Sequence, residues 1–159
     1  EVILKPQNDH LKAYRASYLL CLDNFDEIKA QVSAEAVPLF LDFVSRHAWE
    51  AGFDDEKISQ ISLAVEEALG NIINFACTDG AGEITISCST HESGALIINI
   101  TDTGVPFNML IASTYPEAGD FTKSGQIPST KIMKKAIGNI EYRRDVDRNI
   151  LIFTVMRML

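Results

Sequence analysis

Three side chains have types and spacings that could work together: Glu67, Asn71 and Asp102. Glu67 and Asn71 stand four residues apart in the run SLAVEEALGNIINFA, whose apolar positions recur at helical spacing. Residues i and i+4 share a helix face, so this carboxylate and this carboxamide point the same way. At roughly 100° per residue, Asn74 falls within about 60° of both. The plain alternative is a solvated stripe, but Glu56, Lys57, Gln60 and Glu66 already supply one. Asp102-Thr103-Gly104 follows an apolar, strand-like run. By itself it reads as a strand-ending turn. It also sets a fixed acceptor beside a backbone that can bend sharply. Together the two segments read as the ends of an ATP site, one for Mg²⁺ and phosphate and one for adenine.

The elements that must position these residues follow from periodicity. Ile28–Ser33 alternates as a half-buried strand. Ser17–Leu22 is a short apolar strand that pairs with it as a hairpin across Asp23–Asp26. Leu39, Phe40, Phe43, Val44 and Ala48 predict a helix over Leu39–Ala51, with Pro38 in its first turn and Gly52 ending it. Asp54-Asp55 caps the next helix, whose stripe runs from Ile58 to Ala76 until Asp79–Gly82 breaks it. Glu83–Thr90 and Ala95–Thr101 form a hairpin. Residues 103–128 lack periodicity and read as a lid or binding loop. Thr130–Ile137 is a short helix, and Asn139–Asp145 and Asn149–Arg157 make a last hairpin. This order predicts an α+β two-layer sandwich: a mixed, mostly antiparallel sheet with helices on one face. Residues 1–26 read as an N-terminal arm or extra strand, and 27–159 as the domain. Trp49, Phe40 and Phe43 read as core, Arg143-Arg144 as a solvated strand edge, Asn149 as a turn residue, and Met156 and Met158 as packing.

Composition narrows the classes. The chain has 159 residues, 47% of them apolar, enough for one domain with a sizeable core. Lys and Arg total 14 against 22 Asp and Glu, a net charge of −8. That balance speaks against nucleic acid and anionic membrane as partners. No run approaches the roughly 18 apolar residues of a membrane helix, and no secretory pattern opens the chain, so a cytoplasmic location is expected. Cys21, Cys77 and Cys88 have no metal-ligand spacing and read as reduced thiols. His10, His47 and His91 form no cluster. The chain has no G-x-x-x-x-G-K-[ST] phosphate loop.

VEEALGNIINFA, then DTGVPF, then a glycine-bearing loop and a helix resemble the GHKL superfamily of Bergerat-fold ATPases, which includes gyrase and the histidine kinases. The resemblance is closest to the anti-sigma-factor serine/threonine kinase branch and spans about residues 27–157. It implies ATP and Mg²⁺ as ligands. Glu67 matches the general base, Asn71 the Mg²⁺ ligand, Asp102 the acceptor for the adenine amine, and Gly104 the glycine that lets the base approach. Asn74, Phe107, Gly125, Ser129 and Thr130 complete the nucleotide-binding set, the last two at a helix N-terminus that favours anions. The chemistry agrees: Mg²⁺ takes hard oxygens and keeps waters, and a carboxylate accepts from an amine. The implied partners are a sigma factor and an antagonist protein that is phosphorylated, with the kinase as a homodimer. The sequence also departs from the family pattern. Phe75 stands where a histidine is usual; within SGQIPSTKIMKKAIGN, Gly125 is the only glycine before the late helix, and Gly138 falls at the family aspartate. The alternatives are a non-catalytic partner-switching module with a degraded nucleotide site, or the catalytic domain of a histidine kinase.

Overall fold

The computed structural model describes residues 27–112 and 128–158. The predicted Ser17–Leu22 strand, the rest of the arm and Gly125 lie outside the described residues. The chain forms strand β1 (Glu27–Gln31), a 3-10 turn (Ala34–Ala36), helix α1 (Val37–Glu50) and helix α2 (Asp55–Asn71). Helix α2 continues into a π-helical turn (Ile72–Ala76). Strands β2 (Glu83–Thr90) and β3 (Leu96–Asp102) follow, then helices α3 (Met109–Ala112) and α4 (Lys131–Ala136), and strands β4 (Asn139–Asp145) and β5 (Arg148–Val155).

Local chemistry explains the boundaries. Ser33 accepts from Ala36 N–H and caps the 3-10 turn, and Pro38 sits in the first turn of α1, where no N–H is needed. At the other end Gly52 takes a φ of +87°, a conformation costly for other residues. Its N–H donates to the Trp49 carbonyl at 2.9 Å, and Phe53 N–H donates to the Ala48 carbonyl at 3.1 Å. These two bonds satisfy the last carbonyls of α1. Asp54 then accepts from Lys57 N–H at 2.8 Å and starts α2.

The five strands lie in the order β1-β2-β3-β5-β4. All four pairings are antiparallel, which bears out the expected α+β sandwich with a mostly antiparallel sheet and adds that no parallel pair occurs among the described residues. Alternation sets its faces: Ile84, Ile86 and Cys88, with Leu96, Ile98 and Ile100, and Leu151, Phe153 and Val155, are buried on the helix side. The stripes of α1 and α2 cover that side with Phe40, Phe43, Val44, Ile61, Val65 and Leu69. Trp49 departs from expectation at 57% exposed, because it lies one position off the α1 stripe that ends at Ala48. Met156 and Met158 are also exposed, beyond the last strand. Part of the stretch read as structureless is α3, where Asn108 accepts from Leu110 N–H and Met109 is buried. No helix among the described residues is long and apolar enough to cross a membrane.

Candidate functional site

Sheet parity puts two polar residues where apolar ones stand elsewhere. Asp102 is the last inward-facing residue of β3, and Asn149 is its register partner on β5. Both are 3% exposed. Asp102 Oδ1 accepts from Gly104 N–H and from Asn149 Nδ2, each at 2.9 Å. The Cys77 thiol lies 4.0 Å from the same oxygen. Burial pushes the Asp102 carboxyl above its ordinary value, and the bonds from Asn149 and Gly104 and the charge of Arg144 pull it back. Burial, then the charges of Asp102 and Asp79, push Cys77 up to about 11, which keeps it a thiol at neutral pH.

Asn149 reaches further than a turn residue would. Its Nδ2 also donates to the Val105 carbonyl at 2.8 Å. Its Oδ1 accepts from Phe107 N–H (3.1 Å), the Tyr142 hydroxyl (2.7 Å) and Arg144 Nη1 (3.2 Å). Arg144 Nη1 also donates to the Gly104 carbonyl at 2.9 Å. The expectation of a solvated Arg143-Arg144 edge therefore holds for Arg143 and fails for Arg144. Parity was the available signal. Asn149 shares its side of β5 with Leu151 and Phe153, and Arg144 shares its side of β4 with Ile140 and Tyr142.

The other end of the candidate site lies late in α2. Glu67 and Asn71 share a face as expected, and both engage the segment that begins α4. Glu67 Oε1 accepts from Met133 N–H at 3.0 Å. Its Oε2 accepts from Ile132 N–H and from the Ser129 hydroxyl, each at 3.3 Å. The carboxylate thus satisfies backbone donors that a helix start leaves unpaired. Asn71 is 6% exposed and donates Nδ2 to the Ser129 carbonyl at 2.8 Å. Lys134 Nζ ties α4 to the Leu110 carbonyl, and Lys57 Nζ ties its far end to α2 through the Ala136 carbonyl. Thr130 is buried and Ser129 exposed.

The segment after β3 joins the two ends by running back along the end of α2. Val105 N–H donates to the Ala76 carbonyl at 3.0 Å. The Phe107 ring stacks on Phe75 with centroids 5.7 Å apart, and Met109 Sδ lies 3.6 Å from Asn71 Nδ2. Asp102 and Asn71 therefore border one continuous strip, and the apolar side chains of Phe75, Phe107 and Met109 stand along it. Gly104 is required there for packing, because a Cβ would lie 2.6 Å from the Ala76 carbonyl carbon. Asn74 does not join the polar face. The π turn, closed by Cys77 N–H to the Ile72 carbonyl at 2.8 Å, advances each residue by less than an α-helix does. Asn74 is rotated outward and is exposed.

Asn71 suits one kind of metal. Its nitrogen is committed to Ser129, and its Oδ1 meets no donor among the described residues. No group of three or more His, Cys, Asp or Glu among the described residues could hold an ion. A cation here would rest on one carboxamide oxygen, phosphate oxygens and water, which fits Mg²⁺. A cavity of about 380 Å³, lined by Gly52, Phe53, Lys57, Gln60 and Met156 among others, includes none of these residues.

Residues 30–155 match the histidine kinase-like ATPase domain family. A curated relative, the serine-protein kinase RsbW of Bacillus mycoides (strain KBAB4), is 30% identical over 89 residues, 55% of this chain and 55% of the relative. The chain thus spans about half the length of that relative. The crystal structure of the RsbU and RsbW domains of a Mycobacterium tuberculosis protein superposes with a TM-score of 0.56 at 13% identity. The superposition covers 82% of this chain and 32% of that one and shows a shared fold.

Proposed function

This chain belongs to the histidine kinase-like ATPase domain family, and we propose that within it the protein is an ATP-binding serine/threonine kinase of the anti-sigma type. In this reading it phosphorylates a small antagonist protein, alternately sequesters a sigma factor, and works as a homodimer. The observation that carries the reading is the continuous strip between Asp102 and Asn71, with a buried carboxylate at one end and an uncommitted carboxamide oxygen at the other. The 30% identity to a serine-protein kinase supports the same class.

Asp102 accepts the exocyclic amine of adenine, which guanine does not present at that position. Asn71 would hold Mg²⁺ through Oδ1, where the cation would neutralise charge on the phosphates. Glu67 takes the proton of the attacking hydroxyl while the γ-phosphoryl group passes to that oxygen and ADP leaves. To act so, Glu67 must release the α4 amides it now holds. Ser129 and Thr130, at the start of α4, then face the phosphates. Gly125, in the same role by resemblance, lies outside the described residues.

A second reading, a partner-switching module without phosphoryl transfer, draws support from the commitment of Glu67 to α4 and from the buried Phe107 and Met109 along the strip. Calorimetric titration with Mg·ATP separates the two, with Asp102→Asn as control. Binding that disappears in the variant upholds the ATP site. No heat at millimolar ATP with the parent chain removes it.

A further inference from the structure

We propose that Asn149 is the positioning residue of the base-binding end: it saturates one oxygen of Asp102 and leaves the other to read the base. The inference rests on the ATP reading and adds a residue and a basis for purine selection to it. Both N–H donors that reach Asp102 converge on Oδ1, while Oδ2 meets no donor among the described residues. Both halves of the Asn149 carboxamide are engaged: Nδ2 gives two bonds and Oδ1 accepts three. Turning the amide over would set oxygen against the Asp102 carboxylate and the Val105 carbonyl, so the network permits one orientation. Buried at the last rung between β3 and β5, Asn149 can neither rotate away nor exchange its bonds with water. It holds Asp102 while it holds the backbone at Val105 and Phe107.

Arg144 and Tyr142 extend this clamp to β4. Arg144 bonds both Asn149 and the Gly104 carbonyl, so the last hairpin grips the turn after β3 from outside. A base amine approaching Asp102 then meets an oxygen whose direction is set by neighbours in three strands. An analogue without that amine gains nothing from the clamp, so the effect of Asn149 should appear as selectivity between two purines.

The test compares ATP with purine riboside triphosphate, which lacks the 6-amino group, by calorimetry on the parent chain, Asn149→Ala and Asn149→Asp. Asn149→Asp keeps the size and the acceptor oxygen and loses the donor toward Asp102. Loss of a hydrogen bond that orients a charged acceptor should narrow the ATP preference by about tenfold in both variants, with the analogue bound nearly as before. Equal weakening for both nucleotides, or an unchanged ratio, overturns the proposal. The pH titration of the Asp102 carboxyl carbon by NMR, without nucleotide, is the second readout. Cys77, Arg144 and Tyr142 are ionisable groups beside Asp102, with Asp79 next to Cys77, and Asn149→Ala replaces none of them. Asp102 should titrate at higher pH in that variant. A titration that moves while no nucleotide binds keeps the clamp and removes the ATP reading, and one that does not move overturns the clamp itself.

Discussion

Replacing Gly104 with alanine would place a methyl carbon 2.6 Å from the Ala76 carbonyl carbon and 2.9 Å from its Cβ, with the carbonyl oxygen nearer still. Ordinary carbon contacts lie at about 3.5–4.0 Å, so the backbones must separate by about 1 Å. No flexible side chain can absorb the shift, because the opposing atoms belong to the π turn that ends α2. Overpacking of this kind costs about 1–3 kcal/mol. Separation also strains the bond from Val105 N–H to the Ala76 carbonyl, worth about 1 kcal/mol net. The sum is about 2–4 kcal/mol, and at this chain length each kcal/mol lowers Tm by about 2–4 °C. Scanning calorimetry without nucleotide should therefore show a fall of roughly 5–15 °C. The same displacement pulls Gly104 N–H off Asp102 Oδ1, so ATP affinity measured well below the new Tm should drop about tenfold or more. Gly70→Ala is the matched control. Its Cβ meets nothing within 4 Å, and alanine is the better helix former by about 1 kcal/mol, so its Tm should rise. A Gly104→Ala protein with parental Tm and parental ATP affinity would refute the close-contact argument.

Glu67→Gln should bind ATP like the parent and lose phosphoryl transfer, and full transfer in a radiolabel assay removes Glu67 as the base. Glu67→Ala should in addition lower Tm by about 1–4 °C, since the half-exposed carboxylate caps α4 with a modest helix-end contribution. Asp102→Asn should abolish ATP binding yet leave the unliganded protein as stable or more stable at neutral pH. Burial raises the folded-state pKa of Asp102, so its contribution to stability is present in acid and is lost as pH rises from about 3.8 through that higher value. A clear fall in Tm for Asp102→Asn at pH 7 contradicts this. Cys77 follows the same sign: the fold favours its thiol form, so stability should decline between pH of about 9 and about 11. Tm-against-pH curves for the parent and Cys77→Ala that run parallel across that window would show that Cys77 contributes nothing.

Much of the architecture is local and therefore readable from sequence. The stripe of α1, its Gly52 stop, the Asp54 cap and the alternation in Glu83–Thr90 each depend on residues within a few positions of one another. The helix-to-strand order then limits the fold to a sheet with one covered face. The i, i+4 relation of Glu67 and Asn71 and the Asp102-Thr103-Gly104 bend are local in the same sense, which is why the two ends of the candidate site are legible.

What the sequence determined by itself was thus the set of elements and the polar residues that interrupt their apolar faces. Tertiary structure decided which of those residues meet. Asp102 finds Asn149 only because antiparallel register brings the ends of β3 and β5 together across 47 residues. Glu67 finds the α4 amides more than 60 residues away, and one π turn removes Asn74 from a face that ideal helix geometry had given it. Patterning constrains which face a side chain takes. The partner on that face is set by register, helix winding and the close contact of Gly104 with Ala76, and these exist only once the layers have packed.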